Sequence, residues 1–535
     1  MALKETAERL AAPVRKISGY LLCVLAGAWA LARFVGLGSA PPGFFIDECR
    51  VALHTMCLAE RGRDGDDQAW PLLSHAFADG HHPFTLTDFD VGWTRVFGTS
   101  IAAFRAASAF WIIVTALALF GAVAALEKIV RTSEGQDADK AQARTPFAPL
   151  VLFAALLSPW SFQYARIAWE GPLAPAYLAL ALFALCRLRL SGRFIWAVVV
   201  GVATAFSMIS YPPLRVAVPP VIATVAVTFW LTLPRASADG GIPLRRRFLV
   251  RLVVAGVVAV AAFSPIIVLT LQGKITGRTM DVAIFSPKWL DGHRGPLSRT
   301  TYFFITLADN IATHLRPSYL FFTGDPNSRH SAHIVGQLSP VDIVALVVAT
   351  AGTTLLARLV LRQMRAEKPV KWPQLSRLET VEIAVAAFAV VGGFFATLPA
   401  ALTHEGIPHS LRSIGAWPFV ALFTGSILAL GWHRLTWLPP VVAVVATIYT
   451  AVFFSIYPHV YDAFDANTFT RRPRDAVEET LARNPPAAEV KGAVENALAP
   501  FSKTYEREAL RYYFMHYAGT TCADSGTIIE DLRRR

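Results

Sequence analysis

The chain has 535 residues, of which 54% are hydrophobic and 16% charged, with a mean hydropathy of +0.44. A soluble domain carries roughly 25% charged residues, so these proportions exclude a soluble globular protein and point to an integral membrane protein. The formal net charge of +12 is assigned to the cytoplasmic ends of membrane helices, where Lys and Arg collect, and no nucleic-acid partner is expected.

Apolar runs of about 20 residues predict eleven transmembrane helices, near 17–37, 98–126, 147–162, 172–190, 194–211, 214–233, 248–271, 341–361, 381–401, 413–431 and 436–457. The first follows Lys4, Arg9, Arg15 and Lys16. Its apolar run exceeds the 7–15 residues, roughly, of a signal-peptide core, so it is expected to stay as an anchor. With the N-terminus in the cytoplasm, every alternate loop is basic. Lys128, Arg131, Lys140 and Arg144 fall inside, then Arg187, Arg189 and Arg193, then Arg235 and Arg245 to Arg247, then Arg362, Arg365, Lys368, Lys371 and Arg377. The positive-inside rule therefore places 38–97, 163–171, 212–213, 272–340, 402–412 and the chain after 458 outside.

The first external loop, 38–97, opens on GFFIDECR, where Asp47 and Glu48 follow an apolar stretch directly. Further along it, His81 and His82 lie beside Asp79, with Asp88 and Asp90 beyond; their spacing matches no metal site, and a polar loop is expected. Phe84, Phe89 and Trp93 suggest that this part lies on the bilayer surface or forms a small satellite core. Cys23, Cys49, Cys57, Cys186 and Cys522 are odd in number and scattered, suggesting neither a zinc site nor a disulfide framework. Cys49 and Cys57 can pair only if the segment between them is not one straight helix, since eight helical residues span about 12 Å. After 458 the composition turns polar, and Leu510, Tyr513, Phe514 and Tyr517 recur at helical spacing in a small external appendage. The domain organisation expected is a transmembrane domain over 1–457 and an external region over 458–535.

Unusual polar residues collect on the external side. They are Asp47 and Glu48; Arg166 and Glu170 in SFQYARIAWEGP; Tyr211 and Arg215 in SYPPLR; Arg278 in GKITGRTM; Asp325, Arg329 and His330 in LFFTGDPNSRH; and His404, Glu405, His409 and Arg412 in THEGIPHSLR. Ionisable groups at membrane depth are costly and mark sites. Carboxylates act as general bases, while Arg and His neutralise a departing phosphate, so the mixture suits group transfer from a phosphate. No nucleotide is supplied outside the cell and no nucleotide-binding glycine motif is present. The activated donor is therefore expected to be lipid-borne, a polyprenyl-phosphate sugar. Guanidinium pairing with phosphate assigns Arg215 and Arg278 to the donor, helped by His330 and Arg412.

The order FIDE, VFGTSIAAFRAAS, SFQYARIAWEGP, SYPPLR, GRTMDVAIFSP, YLFFTGDPNSRH and IPHSLR resembles membrane glycosyltransferases of the GT-C fold. It is most similar to bacterial relatives of the dolichyl-phosphate-mannose protein mannosyltransferases and of the lipid A aminoarabinose transferases, over about 17–457. The resemblance implies an all-α polytopic protein of the bacterial inner membrane, with large external loops and its active site outside. Asp47 matches the family's catalytic base, Glu48 is the neighbouring acid, and Glu170 matches a second acidic position. Arg278 matches basic residues near the lipid phosphate, and Arg166, Tyr211, Asp325, His409 and Arg412 complete the substrate-binding candidates. Cys49 and Arg50 depart from the small or aromatic residues expected after the acidic pair. The acceptor, a glycan, lipid or protein, and assistance by a divalent cation are left open. The competing class is a transporter or flippase of lipid-linked or anionic substrates, which the absence of an internal repeat weakens.

Overall fold

The computed structural model describes residues 2–76, 80–134, 146–234, 243–365, 374–461 and 469–534. Asp79, Lys140, Arg144, Arg235, Lys368 and Lys371 lie outside them. Among the described residues nine helices are long and apolar enough to cross a membrane, and Phe147–Leu157 and Phe194–Ser210 are shorter apolar helices. The chain is a multi-pass, almost wholly helical membrane protein, as its composition requires.

The chain starts with α1 (Ala2–Ala32), then α2 (Ile46–Arg61), a hairpin of β1 (Leu73–His75) and β2 (His81–Pro83), and α3 (Phe84–Phe97). Next come α4 (Ile101–Glu134), α5 (Phe147–Leu157), α6 (Pro159–Tyr164), α7 (Leu173–Ser191), α8 (Phe194–Ser210), α9 (Leu214–Leu231) and α10 (Leu244–Leu271). Three short helices follow, α11 (Gly277–Val282), α12 (Pro287–His293) and α13 (Arg299–His314). The last membrane helices are α14 (Pro340–Arg365), α15 (Arg377–Ala401), α16 (Trp417–Trp432) and α17 (Leu438–Val460). The apolar run expected over 147–162 breaks at Ser158, whose hydroxyl accepts from Ser161 N and starts α6 with Pro159 in its first turn.

Small residues set the helix packing. A β-carbon on Gly201 of α8 would lie 2.6 Å from Ala255 O of α10, and one on Gly392 of α15 would collide with the Phe419 ring of α16. Close backbone approach of this kind is how helices associate where lipid removes the hydrophobic drive.

Beyond the spans, α18 (Arg471–Ala482), α19 (Val490–Leu498), α20 (Arg507–Ala518) and α21 (Cys522–Arg534) form a helical cap over α2. Phe44, Cys49 and Ala52 share one core with Leu510, Tyr512, Tyr513 and Phe514. Leu510, Tyr513 and Phe514, expected on one helix face, are fully buried there. The cysteine expectation is corrected: Cys57 and Cys522, 465 residues apart, form a disulfide with their Cα atoms 5.4 Å apart. Pairing across such a separation leaves no spacing signal. Cys49 stands in the same helix as Cys57 and remains a buried free thiol.

Candidate active site at the loop-bearing end of the bundle

The polar loops converge on one end of the helix bundle. The backbone carbonyl of Arg329 accepts from Gln163 Nε2 (3.0 Å), Asp325 Oδ2 accepts from Ser410 N (2.7 Å), and Glu48 Oε1 accepts from Ala168 N (2.7 Å).

The two adjacent acids have different surroundings. Glu48 is fully buried and forms a bidentate pair with Arg105 of α4, Nε to Oε1 and Nη2 to Oε2, both 2.9 Å. It also accepts from Phe45 N at 2.8 Å, closing the first turn of α2. Every lone-pair direction of Glu48 serves the fold. Asp47, one residue earlier on the helix and about 100° around it, is only part-buried. Burial pushes its carboxyl from 3.8 up to about 6; Glu170 and Glu48 add to the rise, while His82 and Arg329 oppose it. Of the two acids, Glu48 is held by the fold, and Asp47 is the one whose carboxylate accepts no such set of hydrogen bonds among the described residues.

Glu170 approaches His82 Nδ1 at 3.5 Å, and His82 is 2% exposed with no hydrogen bond to either ring nitrogen. Arg329 lies over the Phe45 ring at 4.0 Å and over Trp169 at 6.0 Å, an arrangement that holds a guanidinium by cation–π attraction. Sequence alone gives Arg329 no role beyond its place in the external GDPNSRH motif and places His82 in a polar loop. The signal for Arg329 was its place next to His330 in an external motif; His82 carried none beyond proximity in sequence to a second histidine.

Trp169 joins this group to a second one, its ring 5.8 Å from that of His330. His330 Nδ1 bonds Asp325 Oδ2 at 3.0 Å, and the His330 and His409 rings are 4.7 Å apart. Burial alone would raise Asp325, but hydrogen bonds from His330, Ser410 N and Asn327 N hold it below 3.8. Burial lowers His330, against the pull of Asp325. Burial, then His330, Arg412 and His314, put His409 well below 6.5. Both rings are thus neutral at pH 7. Asp325, His330 and His409 place their ligand atoms within 4.8 Å of one another, a donor set for a divalent metal. The Asp325 oxygen that faces His330 already accepts two hydrogen bonds, so an ion would have to displace one.

Arg278 and Arg412 share one carboxylate: Glu405 Oε2 lies 2.5 Å from Arg278 Nη2 and 3.1 Å from Arg412 Nη2. Two cations on one anion leave a net positive charge at the mouth of the site. Burial raises the Tyr211 hydroxyl well above 10, with Arg412 opposing and Glu170 adding to the rise, so Tyr211 is a neutral donor near both groups. Arg215 lies apart from these contacts, donating to Met208 O at 3.1 Å and lying over Phe263. Arg166 is 2% exposed and spends four N–H donors on the carbonyls of Ala32, Val35, Gly36 and Ala40, clamping the exit of α1.

On α3, Phe89 stacks on Trp93 at 5.7 Å and packs into a satellite core with Trp111 and Leu86, while Val96 and Phe97 are exposed. The satellite-core description thus holds for one face of this helix.

No family model and no curated protein matches the chain. Among solved structures it is similar to ArnT from Cupriavidus metallidurans bound to undecaprenyl phosphate, at 12% identity and TM-score 0.45, with 95% of this chain and 88% of that chain covered. It is also similar to ArnT from the same organism in the apo state, at 15% identity and TM-score 0.40, covering 95% and 77%. ArnT is a lipid A aminoarabinose transferase, one of the groups that the motif order resembles.

Proposed function

We propose that the protein is a membrane glycosyltransferase that moves a sugar from a polyprenyl-phosphate donor onto an acceptor hydroxyl or amine, with inversion, at the external face of the bacterial inner membrane. The observation that carries this is Asp47, a carboxylate raised to about 6 by burial and left unclaimed by the fold, with the Arg329 guanidinium among the groups that oppose the rise. A base of that strength accepts a proton near neutral pH, and the neighbouring cations stabilise the anion that leaves.

The acceptor oxygen or nitrogen attacks the anomeric carbon and its proton passes to Asp47. The new bond forms on one face while the carbon–oxygen bond to the lipid phosphate breaks on the other, its electron pair leaving with the phosphate. Arg329, with Arg278 and Arg412 at the mouth, would meet that charge; Glu170, His82 and Tyr211 would hold the sugar and acceptor hydroxyls. Undecaprenyl phosphate, bound in one of the similar structures, is the carrier to test first. The external orientation is supported by the alternation of basic loops and by the Cys57–Cys522 disulfide, which belongs to an oxidising compartment.

The test is transfer of label from a bacterial lipid extract, radiolabelled in its polyprenyl-phosphate sugars, by purified protein in bilayers. Transfer lost in Asp47→Asn supports the assignment. Label that crosses the bilayer without changing carrier overturns it in favour of a flippase.

A further inference from the structure

The cap formed by α18 to α21 meets the segment that leads into Asp47 at one peptide. Thr470 Oγ1 donates to Phe44 O at 2.6 Å, Phe44 N donates to Tyr513 Oη at 3.3 Å, and the Thr470 and Tyr513 hydroxyls are 2.7 Å apart. The only donor sequence that satisfies all three contacts is a closed ring: Phe44 N–H to Tyr513, Tyr513 O–H to Thr470, Thr470 O–H to Phe44 C=O. All three residues are buried.

Two further features single out this contact. Thr470 has φ +46°, a left-handed conformation that is strained for a β-branched residue, so something outweighs its cost. Gly43, at φ +75°, has no room for a side chain: a β-carbon there would collide with Phe469 O. The cap and the loop are thus seated against each other at backbone distance.

From the other side, Arg105 donates to the carbonyls of Leu37, Pro41 and Gly43 at 2.9, 2.6 and 2.6 Å and holds Glu48, which in turn accepts from Phe45 N. Gly43 C=O, both polar groups of Phe44 and Phe45 N–H are all fixed within four residues of Asp47. Half of that fixation comes from residues more than 400 positions later in the chain.

We propose that Thr470 and Tyr513 are positioning residues for Asp47, and that the C-terminal cap is a part of the active-site scaffold which sets where that carboxylate points. This rests on the glycosyltransferase function proposed above. A misplacement of about 1 Å at a reacting group costs on the order of 10²-fold, so the ring need only shift α2 slightly to matter.

The full-length protein in bilayers tests this with Thr470→Val, Tyr513→Phe and the hydroxyl-preserving Thr470→Ser. Turnover on the radiolabelled lipid extract is expected to fall about 10- to 100-fold in the first two and to be retained within about threefold in Thr470→Ser. The Kd for undecaprenyl phosphate should stay within about twofold throughout, which separates positioning of the base from lipid binding. Amide hydrogen exchange over residues 43–48 should quicken about tenfold in Thr470→Val and Tyr513→Phe alone. Unchanged exchange and turnover in both, or losses that Thr470→Ser shares in full, would overturn the proposal. Should the wild-type chain transfer no sugar, the glycosyltransferase function fails, and the exchange measurement still decides whether the ring fixes α2.

Discussion

Arg105 grips both carboxylate oxygens of Glu48, at 2.9 Å each, with both side chains fully buried. Removing one partner of such a pair leaves an uncompensated charge, at a cost of about 3–5 kcal/mol. Glu48→Gln and Arg105→Met are therefore expected to lose folded yield and thermal stability first, and the folded Glu48→Gln to lose some activity as well, because Glu48 also holds Phe45 N in the turn before Asp47. Normal melting behaviour of Glu48→Gln would show that the pair is dispensable.

Asp47→Asn keeps shape and removes the base. Turnover is expected to fall about 10²- to 10⁴-fold at unchanged folded yield. If Asp47 is the general base proposed above, wild-type activity should rise with pH through about 6 as its carboxyl ionises. The stability effect runs the other way. A carboxyl raised from 3.8 to about 6 in the folded state favours folding at low pH, and that contribution is lost as pH rises across the interval. Asp47→Asn should flatten that slope in thermal denaturation.

His330 and His409 resist protonation in the folded state because they are buried, His409 also beside cations. The unfolded chain binds protons from about 6.5 downward, so their contribution is present above that pH and lost below it. The melting temperature should drop as pH falls from 7 to 5, and His409→Gln should reduce the drop. An equal acid loss in that variant would remove His409 as its origin.

Glu405 bridges Arg278 and Arg412. If those cations meet the donor phosphate, Arg278→Ala weakens undecaprenyl phosphate binding, and Arg278→Lys restores it only in part because a lysine cannot form the forked contact. Arg412→Ala should behave alike. Equal Kd values in Arg278→Ala and wild type would leave the pair as a surface contact.

The Cys57–Cys522 disulfide closes a 465-residue separation. Cross-links of this kind typically contribute about 2–4 kcal/mol. Reduction, or Cys57→Ser with Cys522→Ser, should release the cap to limited proteolysis near residue 500 while the transmembrane helices stay protected.

Composition and charge periodicity determined the membrane class, the eleven apolar segments and which loops share a side, because a bilayer imposes length and polarity on each segment separately. Nine long and two short apolar helices match those segments. The same logic brought out Asp47, Glu170, Asp325, His330 and His409 as polar residues next to spans. It could not separate Asp47 from Glu48, since adjacent residues have the same sequence environment; Arg105, 57 positions away, makes that distinction by taking Glu48. Arg166 has the same residue type and flank as a phosphate ligand, yet its partners are the carbonyls at the exit of α1. Arg329 and His82 acquire their place only where 45–48, 82, 170 and 329 meet, and Cys522 finds Cys57 only because α21 folds back over α2. Pairings of this kind are long-range contacts, set by how helices stack and which polar groups must be satisfied once buried, and no local pattern in the chain encodes them.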